Sequence, residues 1–402
     1  VYNKLTLDDI TIAGQRVLVR VDFNVPLDDQ GHVRDFTRIK ASLPTIHNIL
    51  DYDGMAVLMS HFGRPDGKVV RKYSLKPVAE ELEELLGQEI KFAPDCIGSE
   101  VEAMTRALQP GEVLLLENVR FHPGENKNDP EYAAQLARMG DVFVNDAFGA
   151  AHRKQASIHA ITKFFPGCAA AGRLMMREIR FLGRTLSNPQ RPFIGIVGGA
   201  KISSKIETIQ RLLPLVDTML IGGAMAFTFI KAKGENIGNS LFEPDKLELA
   251  EEIMNGPYAE KIILPIDSVV AQDLEYGSER KTFYSREIPD GWHGLDLGRE
   301  AREKYVEIIK SAATVFWNGP MGLFEREPYA PGTRVIARAM VDLTANGGVA
   351  IVGGGDTMAA LNKFNLTGPM THISTGGGSL LEFMDGNPLP GVEALSDREV
   401  LE

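Results

Sequence analysis

Phe193-Ile194-Gly195-Ile196-Val197-Gly198-Gly199-Ala200-Lys201 decides the fold. A short, almost wholly apolar run reads as a strand buried on both faces, and the double glycine after it reads as a turn at its carboxyl end. The pattern recurs downstream, where Met219–Ile221 leads into Gly222-Gly223 and Val349–Val352 into Gly353-Gly354-Gly355-Asp356. Gly376-Gly377-Gly378 follows Ser374-Thr375, and Ile262–Leu264 and Val315–Trp317 are further strand candidates. Upstream, strands predicted at Val17–Asn24, Met55–Met59, Val113–Leu116 and Val142–Val144 run instead toward Arg and His. Helical patterns lie between them. One opens at Pro77, shows Val78, Leu82, Leu85 and Leu86 on one face and stops at Gly87, with Ser74 near its start as a candidate cap. Strands alternating with helices predict an α/β protein with parallel sheets covered on both faces.

At 402 residues the chain is too long for one ordinary core, and two or three domains are expected. A helical stretch from about Arg173 to Leu186 runs into Ser187-Asn188-Pro189-Gln190-Arg191-Pro192, whose two prolines suit a domain boundary. A weak echo links the halves. Val142-Phe143-Val144-Asn145 precedes Gly149, and Val315-Phe316-Trp317-Asn318 precedes Gly322, at one spacing. It reads either as chance or as two copies of one strand-to-loop solution.

The net charge of −11 and the lack of a long basic stripe argue against a nucleic-acid partner. No apolar run reaches the ~18 residues of a membrane span, and no secretory pattern opens the sequence, so the cytoplasm is expected. Cys96 and Cys168, without CxxC or clustered His, read as small apolar residues rather than as a disulfide or zinc site. Asn365-Leu366-Thr367 reads as an accidental glycosylation triplet.

In the first half, Asp22 and Asn24 are predicted to share a strand face, and Arg38, His61, Arg64, Arg120 and Arg153 are predicted at strand ends. Ligands of open α/β sheets bind beyond the carboxyl ends of strands, and the guanidinium fork suits carboxylate and phosphate. For any one Arg the plain alternative is a surface ion pair of little worth. In the second half, Gly198–Lys205 is not a Walker A loop, because G-K-[ST] is absent, and no G-x-G-x-x-G follows a strand. Lys201 and Lys205, four apart, read either as one helix face reaching the same phosphates or as a solvated pair. Asp356 reads as a Mg²⁺ ligand or as a helix cap. A small-anion site in one half and phosphate-cradling glycine turns in the other point to phosphoryl transfer.

In this order the segments resemble phosphoglycerate kinases. Arg20-Val21-Asp22-Phe23-Asn24-Val25-Pro26 is similar to that family's N-terminal signature. Ser60–Pro65, Leu116–Phe121, Val144–Arg153, Gly198–Lys201, Ile221–Phe229, Trp317–Pro320, Gly353–Thr357 and Ser374–Gly378 also match, in order and approximate spacing. The resemblance covers essentially the whole chain. It implies two Rossmann-like three-layer α/β/α domains with parallel sheets, joined by an interdomain helix and facing across a cleft. The phosphoglycerate-binding domain would span 1–172, the helix and hinge 173–192, the nucleotide-binding domain 193–385, and a segment returning to the first domain 386–402.

The implied reaction is reversible phosphoryl transfer between 1,3-bisphosphoglycerate with ADP and 3-phosphoglycerate with ATP, a step of glycolysis. Mg²⁺ would enter as MgADP or MgATP. By matching positions, Asp22, Asn24, Arg38, His61, Arg64, Arg120 and Arg153 would bind phosphoglycerate. Gly199, Lys201, Lys205, Gly222, Gly223, Asn318, Glu325, Gly353, Gly354, Gly355, Asp356 and Thr357 would serve the nucleotide, Glu325 at the ribose hydroxyls and Asp356 at the metal. Arg38 and Lys201 would flank the moving phosphoryl group, with N–H groups at Gly354 and Gly377 beside it. A monomer is expected. Gln155, Arg173, Ser204 and Ser379-Leu380 depart from the family pattern. The rival readings are a dehydrogenase, disfavoured by the missing dinucleotide fingerprint, and a two-domain solute-binding protein.

Overall fold

Runs of apolar residues ending in turns build two six-stranded parallel sheets. The structure, a computed structural model, describes residues 2–185, 188–275, 278–384 and 387–398. The chain divides into one unit of Val1–Arg184 with Gly378–Glu402 and another of Thr185–Gly377. The expected boundary at 385–386 and the expected Leu186–Ser187 end of the linking helix lie outside the described residues.

In the first unit the strands run in the order Ile90–Phe92, Val113–Leu115, Met55–Met59, Arg16–Arg20, Val142–Asn145 and Ala169–Ala171. Val17 pairs with Ala56 on one side and Val142 on the other. Every residue of Met55–Met59 is buried, which is why this strand reads as an unbroken apolar run. The first strand ends at Arg20, so Asp22 and Asn24 lie in the loop beyond it rather than on a strand face. The helix Lys76–Leu86 buries Val78 and Leu82 and closes on left-handed Gly87, as its pattern predicts. Ser74 does accept a bond from the Lys76 N–H, although Leu75 occupies the cap position. A helix at Thr37–Asp51 went unread because Pro44 sits inside it and masks the period.

The helix Arg173–Thr185 starts on a buried carboxylate: the Met175 N–H donates to Asp146 Oδ1 (3.1 Å), and Gly172 leaves room for that side chain. The C-terminal stretch is bonded into the same unit through Gly391 N to Ala151 O (2.8 Å) and Ser396 N to Ala169 O (2.9 Å).

The second sheet runs Ile262–Ile263, Thr218–Ile221, Phe193–Val197, Thr314–Asn318, Val349–Gly353 and His372–Ser374, again all parallel. Trp317 and Tyr305, both fully buried, anchor its core with Ile336 and Met340 of the helix Pro331–Ala345. The sequence reading missed an antiparallel sheet of Arg280–Tyr284, Asp267–Ala271 and His293–Leu297. Arg280–Tyr284 is largely exposed and polar, so neither alternation nor an apolar run marks it.

Candidate functional site

The first unit gathers its predicted anion set around one loop. Arg38 sits in the first turn of the Thr37–Asp51 helix, not at a strand end as expected, because the chain crosses from Asn24 before the helix begins. Its Nη1 donates to Asp22 Oδ1 (3.2 Å) and to the Asn24 carbonyl (2.9 Å). The Asn24 side chain accepts the Gly63 N–H (2.9 Å), while Arg120 Nη1 donates to the Gly63 carbonyl (2.8 Å). Gly63 is thus held from both sides, and Arg64 after it is exposed. Arg120 rides on the turn Val119–Phe121, which is fixed by Asn118 Oδ1 accepting from both the Phe62 and Arg120 amides. Arg153 is exposed and donates through Nε to His152 Nε2 (3.1 Å).

A residue that sequence reasoning left without a role lies beneath this set. Arg20 is fully buried at its strand end. It donates through Nε to Ser157 Oγ (2.8 Å), and its Nη2 lies 3.1 Å from His61 Nδ1, with the buried Glu125 carboxylate at 4.0 Å. Arg can only donate, so His61 Nδ1 is the acceptor and the neutral ring carries its proton on Nε2, 4.0 Å from Asp22 Oδ1. Burial, ahead of the surrounding arginines, holds the His61 pKa well below its usual value despite Asp22. The visible signal was an arginine directly continuing the apolar run Val17-Leu18-Val19.

Positive charge is concentrated here. Burial first, then the Arg20 and Arg153 guanidinium groups, pull the Arg120 pKa down to about 10, with Glu125 and Asp22 in partial compensation. Burial likewise disfavours the charge on Arg20, opposed by Glu125 and Asp22 and reinforced by Arg153. Such a set relaxes when an anion binds among it.

The second unit contains a cavity of 660 Å³ whose wall includes Gly199, Gly223, Glu325 and Asp356. The rest of its lining is partly apolar, with Phe227, Leu241, Leu274 and Leu295. Phe227 comes from the helix Met225–Ala232, Leu295 from the antiparallel sheet and Leu241 and Leu274 from loops, and no local pattern in the sequence groups them. Gly223 has φ +68°, and a Cβ there would approach the Gly199 amide nitrogen to 2.6 Å, so the double glycines let two loops meet backbone to backbone.

That packing alters two expectations. The Gly199 N–H donates to the Pro320 carbonyl (2.9 Å), and the Gly222 and Gly223 N–H groups donate to Val197 and Met321 (both 3.0 Å). These amides shape the cavity and are not a row of free phosphate donors. Nor do Lys201 and Lys205 share a helix face: Lys201 precedes a 3₁₀ turn at Ile202–Ser204, and Lys205 precedes the α-helix Ile206–Leu212. Lys201 is exposed. Lys205 Nζ instead donates to Asn318 Oδ1 (2.6 Å), with burial lowering its pKa and Asp356 opposing.

Asn318 ends its strand beside Gly353, which pairs in turn with Ser374. Gly354 has φ +90°, and a Cβ there would lie 2.8 Å from Asn318 Oδ1. Gly355 opens the helix Gly355–Phe364, so its amide and those of Asp356 and Thr357 have no intrahelical acceptor. Asp356 is exposed, whereas the buried Thr357 hydroxyl accepts the Gly319 N–H (2.7 Å). Lys363 Nζ donates to the Phe324 and Glu325 carbonyls (both 2.9 Å) and fixes the backbone that carries Glu325. Gly377 opens the helix Gly377–Met384.

Comparison with known proteins gives the same answer throughout. The family model described as phosphoglycerate kinase matches residues 7–387. A phosphoglycerate kinase of Chloroflexus aurantiacus is 51% identical over 401 residues, 99% of this chain and 100% of the relative. One of Moorella thermoacetica is 52% identical over 397 residues, 98% of this chain and 100% of the relative. Among solved structures, the phosphoglycerate kinase of Coxiella burnetii superposes with a TM-score of 0.80 at 38% identity, covering 97% of this chain and 98% of that one. That of Pyrococcus horikoshii gives a TM-score of 0.85 at 33% identity with the same coverage. With its two parallel sheets, its guanidinium cluster and its glycine-walled cavity, the chain belongs to the phosphoglycerate kinase family.

Proposed function

We propose that the guanidinium cluster of the first unit binds phosphoglycerate and the cavity of the second binds adenine nucleotide, for phosphoryl transfer between 1,3-bisphosphoglycerate with ADP and 3-phosphoglycerate with ATP. The observation that carries this reading is geometric: Arg38 bonds to Asp22 and the Asn24 carbonyl, Asn24 and Arg120 hold Gly63 from both sides, and His61 lies beside Asp22, so one loop gathers guanidinium and imidazole donors suited to a small anion. Asp22, Asn24, Arg38, His61, Arg64, Arg120 and Arg153 form the substrate set. Arg38 can exchange its bond to Asp22 for one to the ligand, and neutral His61 offers its Nε2–H as a donor.

In the cavity, Glu325 would take the ribose hydroxyls and the apolar wall the base. Lys205, held by Asn318, and the exposed Lys201 would reach the phosphates, and the first-turn amides at Gly355 and Asp356 would cap them. Asp356, an exposed carboxylate on the cavity wall, would hold the Mg²⁺ that enters with the nucleotide, and the ion would supply shielding of the phosphate charge. Transfer needs no side-chain nucleophile, because the substrate carboxylate and a nucleotide phosphate oxygen are the partners. Arg38 and Lys201 neutralise the charge that develops between them, aided by N–H groups at Gly354 and Gly377. The two sets belong to different units, so we place a hinge around residues 172–192 that lets them meet. The enzyme works as a cytoplasmic monomer.

The test is ADP release from MgATP with and without 3-phosphoglycerate, repeated with Lys201→Ala. ADP and an acyl phosphate that form only when both substrates are present, and collapse in the variant, are expected. Binding of both ligands without transfer would sink the proposal.

A further inference from the structure

Behind the Arg120 turn lies a cluster that the reaction does not use. Asp95, Cys96 and His122 each present one ligand atom, and these atoms all fall within 4.8 Å of one another. His122 Nε2 is 2.7 Å from Asp95 Oδ1. The ring of Tyr132 stacks on that of His122, with centroids 5.3 Å apart. The Cys96 thiol, fully buried below them, contacts the Tyr132 hydroxyl at 3.1 Å. The Asp95 and His122 side chains are 44% and 27% exposed, which leaves a path from solvent.

We infer that Asp95, Cys96 and His122 form a binding site for a thiophilic divalent cation such as Zn²⁺, and that its occupation is transmitted to the turn bearing Arg120. One thiolate, one imidazole and one carboxylate is a donor set suited to zinc, with water left to complete a tetrahedron. Ligand atoms in such a site stand roughly 3.5 Å apart, so a small inward movement completes it. The partners around the ligands already restrain the imidazole and the thiol.

Transmission follows from counting protons. Tyr132 has a single O–H, and it donates to the Val119 carbonyl (2.8 Å). In the metal-free protein the Cys96 S–H is therefore the donor to the tyrosine oxygen. Metal binding removes the proton to solvent and turns the sulfur from donor to acceptor. The tyrosine O–H then swings to the thiolate and releases the Val119 carbonyl, at the start of the Val119–Phe121 turn. The consequence for activity rests on Arg120 binding phosphoglycerate; the metal site itself does not.

The experiment titrates Co²⁺ into the full chain, without nucleotide or phosphate, and follows the thiolate-to-cobalt absorption band, with Zn²⁺ as competitor. The band should appear, be displaced by Zn²⁺, vanish in Cys96→Ser and persist in Cys168→Ser. In His122→Gln, a change at a partly exposed side chain, affinity should fall at least about tenfold. No band, or one that survives Cys96→Ser, overturns the site. With MgATP saturating, Zn²⁺ at the concentration that displaces cobalt should raise KM for 3-phosphoglycerate several-fold with kcat nearly unchanged, and His122→Gln should abolish that rise. Cobalt binding with KM unmoved would overturn the transmission and leave the site standing.

Discussion

Asn145 and Asn318 occupy corresponding places in the two units and do different work. Each ends a strand lying beside the first strand of its sheet, and each is buried. In the first unit, Asn145 Nδ2 donates to the Gly391 carbonyl (2.9 Å), and its Oδ1 accepts the Ala147 N–H (3.1 Å), tying in the C-terminal stretch. In the second, Asn318 Oδ1 accepts Lys205 Nζ at 2.6 Å. One strand-to-loop solution thus fastens the C-terminal stretch in one unit and holds the Lys205 ammonium in the other. The echo of four residues and a glycine is structural, and the nearest partner decides what it serves.

The cations of the two units give the hardest test. Arg38 is partly buried and bonded to Asp22, whereas Lys201 is exposed. If both act on the transferring group, their different surroundings in the free protein will not matter. Arg38→Ala and Lys201→Ala should each lower kcat on the order of 10³-fold. Steady-state kinetics with both substrates varied would show it, and a loss confined to KM in either variant would break the equivalence.

The asparagines themselves come next. Asn318→Ala should lower kcat/KM for MgATP roughly 10- to 100-fold through loss of Lys205 orientation, with little change in urea midpoint. Asn145→Ala should do the reverse, costing about 1–3 kcal/mol of stability because it leaves the Gly391 carbonyl and the Ala147 N–H unpaired. Equal kinetic damage from both would mean that the division of labour is wrong.

Each unit also buries an acid against glycine at a helix start. Asp146 packs on Gly172 and receives the Met175 N–H; Asp296 packs on Gly322 and Gly332 and receives the Gly332 N–H (2.7 Å). Burial pushes Asp146 up to about 6 and Asp296 up to about 7, each only partly offset by hydrogen bonds. The folded chain therefore binds more protons than the unfolded chain between the ordinary carboxyl pKa and these values. The stabilisation is fully present below about pH 4 and is lost as pH rises through 6 and 7. At about 1.4 kcal/mol per pKa unit, this amounts to some 3 kcal/mol for Asp146 and about 4 kcal/mol for Asp296. Urea unfolding from pH 5 to 8 should show the decline, and Asp146→Asn and Asp296→Asn should each flatten part of it. A profile as steep in both variants as in the parent would sink this reading.

What the sequence disclosed depended on how local its signal was. The buried strands at Met55–Met59 and Phe193–Val197 and the Gly87 stop of the Lys76–Leu86 helix were legible because each is written in consecutive residues. The Thr37–Asp51 helix was hidden by Pro44, and Arg38 was therefore assigned to the wrong kind of element. The apolar cavity wall was invisible for another reason, since Phe227, Leu241 and Leu295 are brought together only by tertiary packing. The glycine doublets were found for the right property and the wrong purpose. Their freedom at positive φ serves loop-on-loop contact, and their amides are already spent on Pro320 and Met321.

The smallest expected effect concerns His61, where the first unit has no counterpart in the second. Arg20 binds Nδ1, and arginines surround a ring that is itself buried, so protonation would place a cation among cations. The ring should stay neutral, protonated on Nε2, as pH falls through the ordinary histidine range, and its ¹⁵N shifts should be flat there. Asp22 alone pulls the other way, from 4.0 Å. In Arg20→Lys, where one amine cannot satisfy His61 and Ser157 together, the two tautomers should mix and the ring should begin to titrate. A His61 that already titrates near 6.5 in the parent would show that Asp22, and not Arg20, governs the ring; phosphoglycerate would then meet an imidazolium rather than a neutral donor.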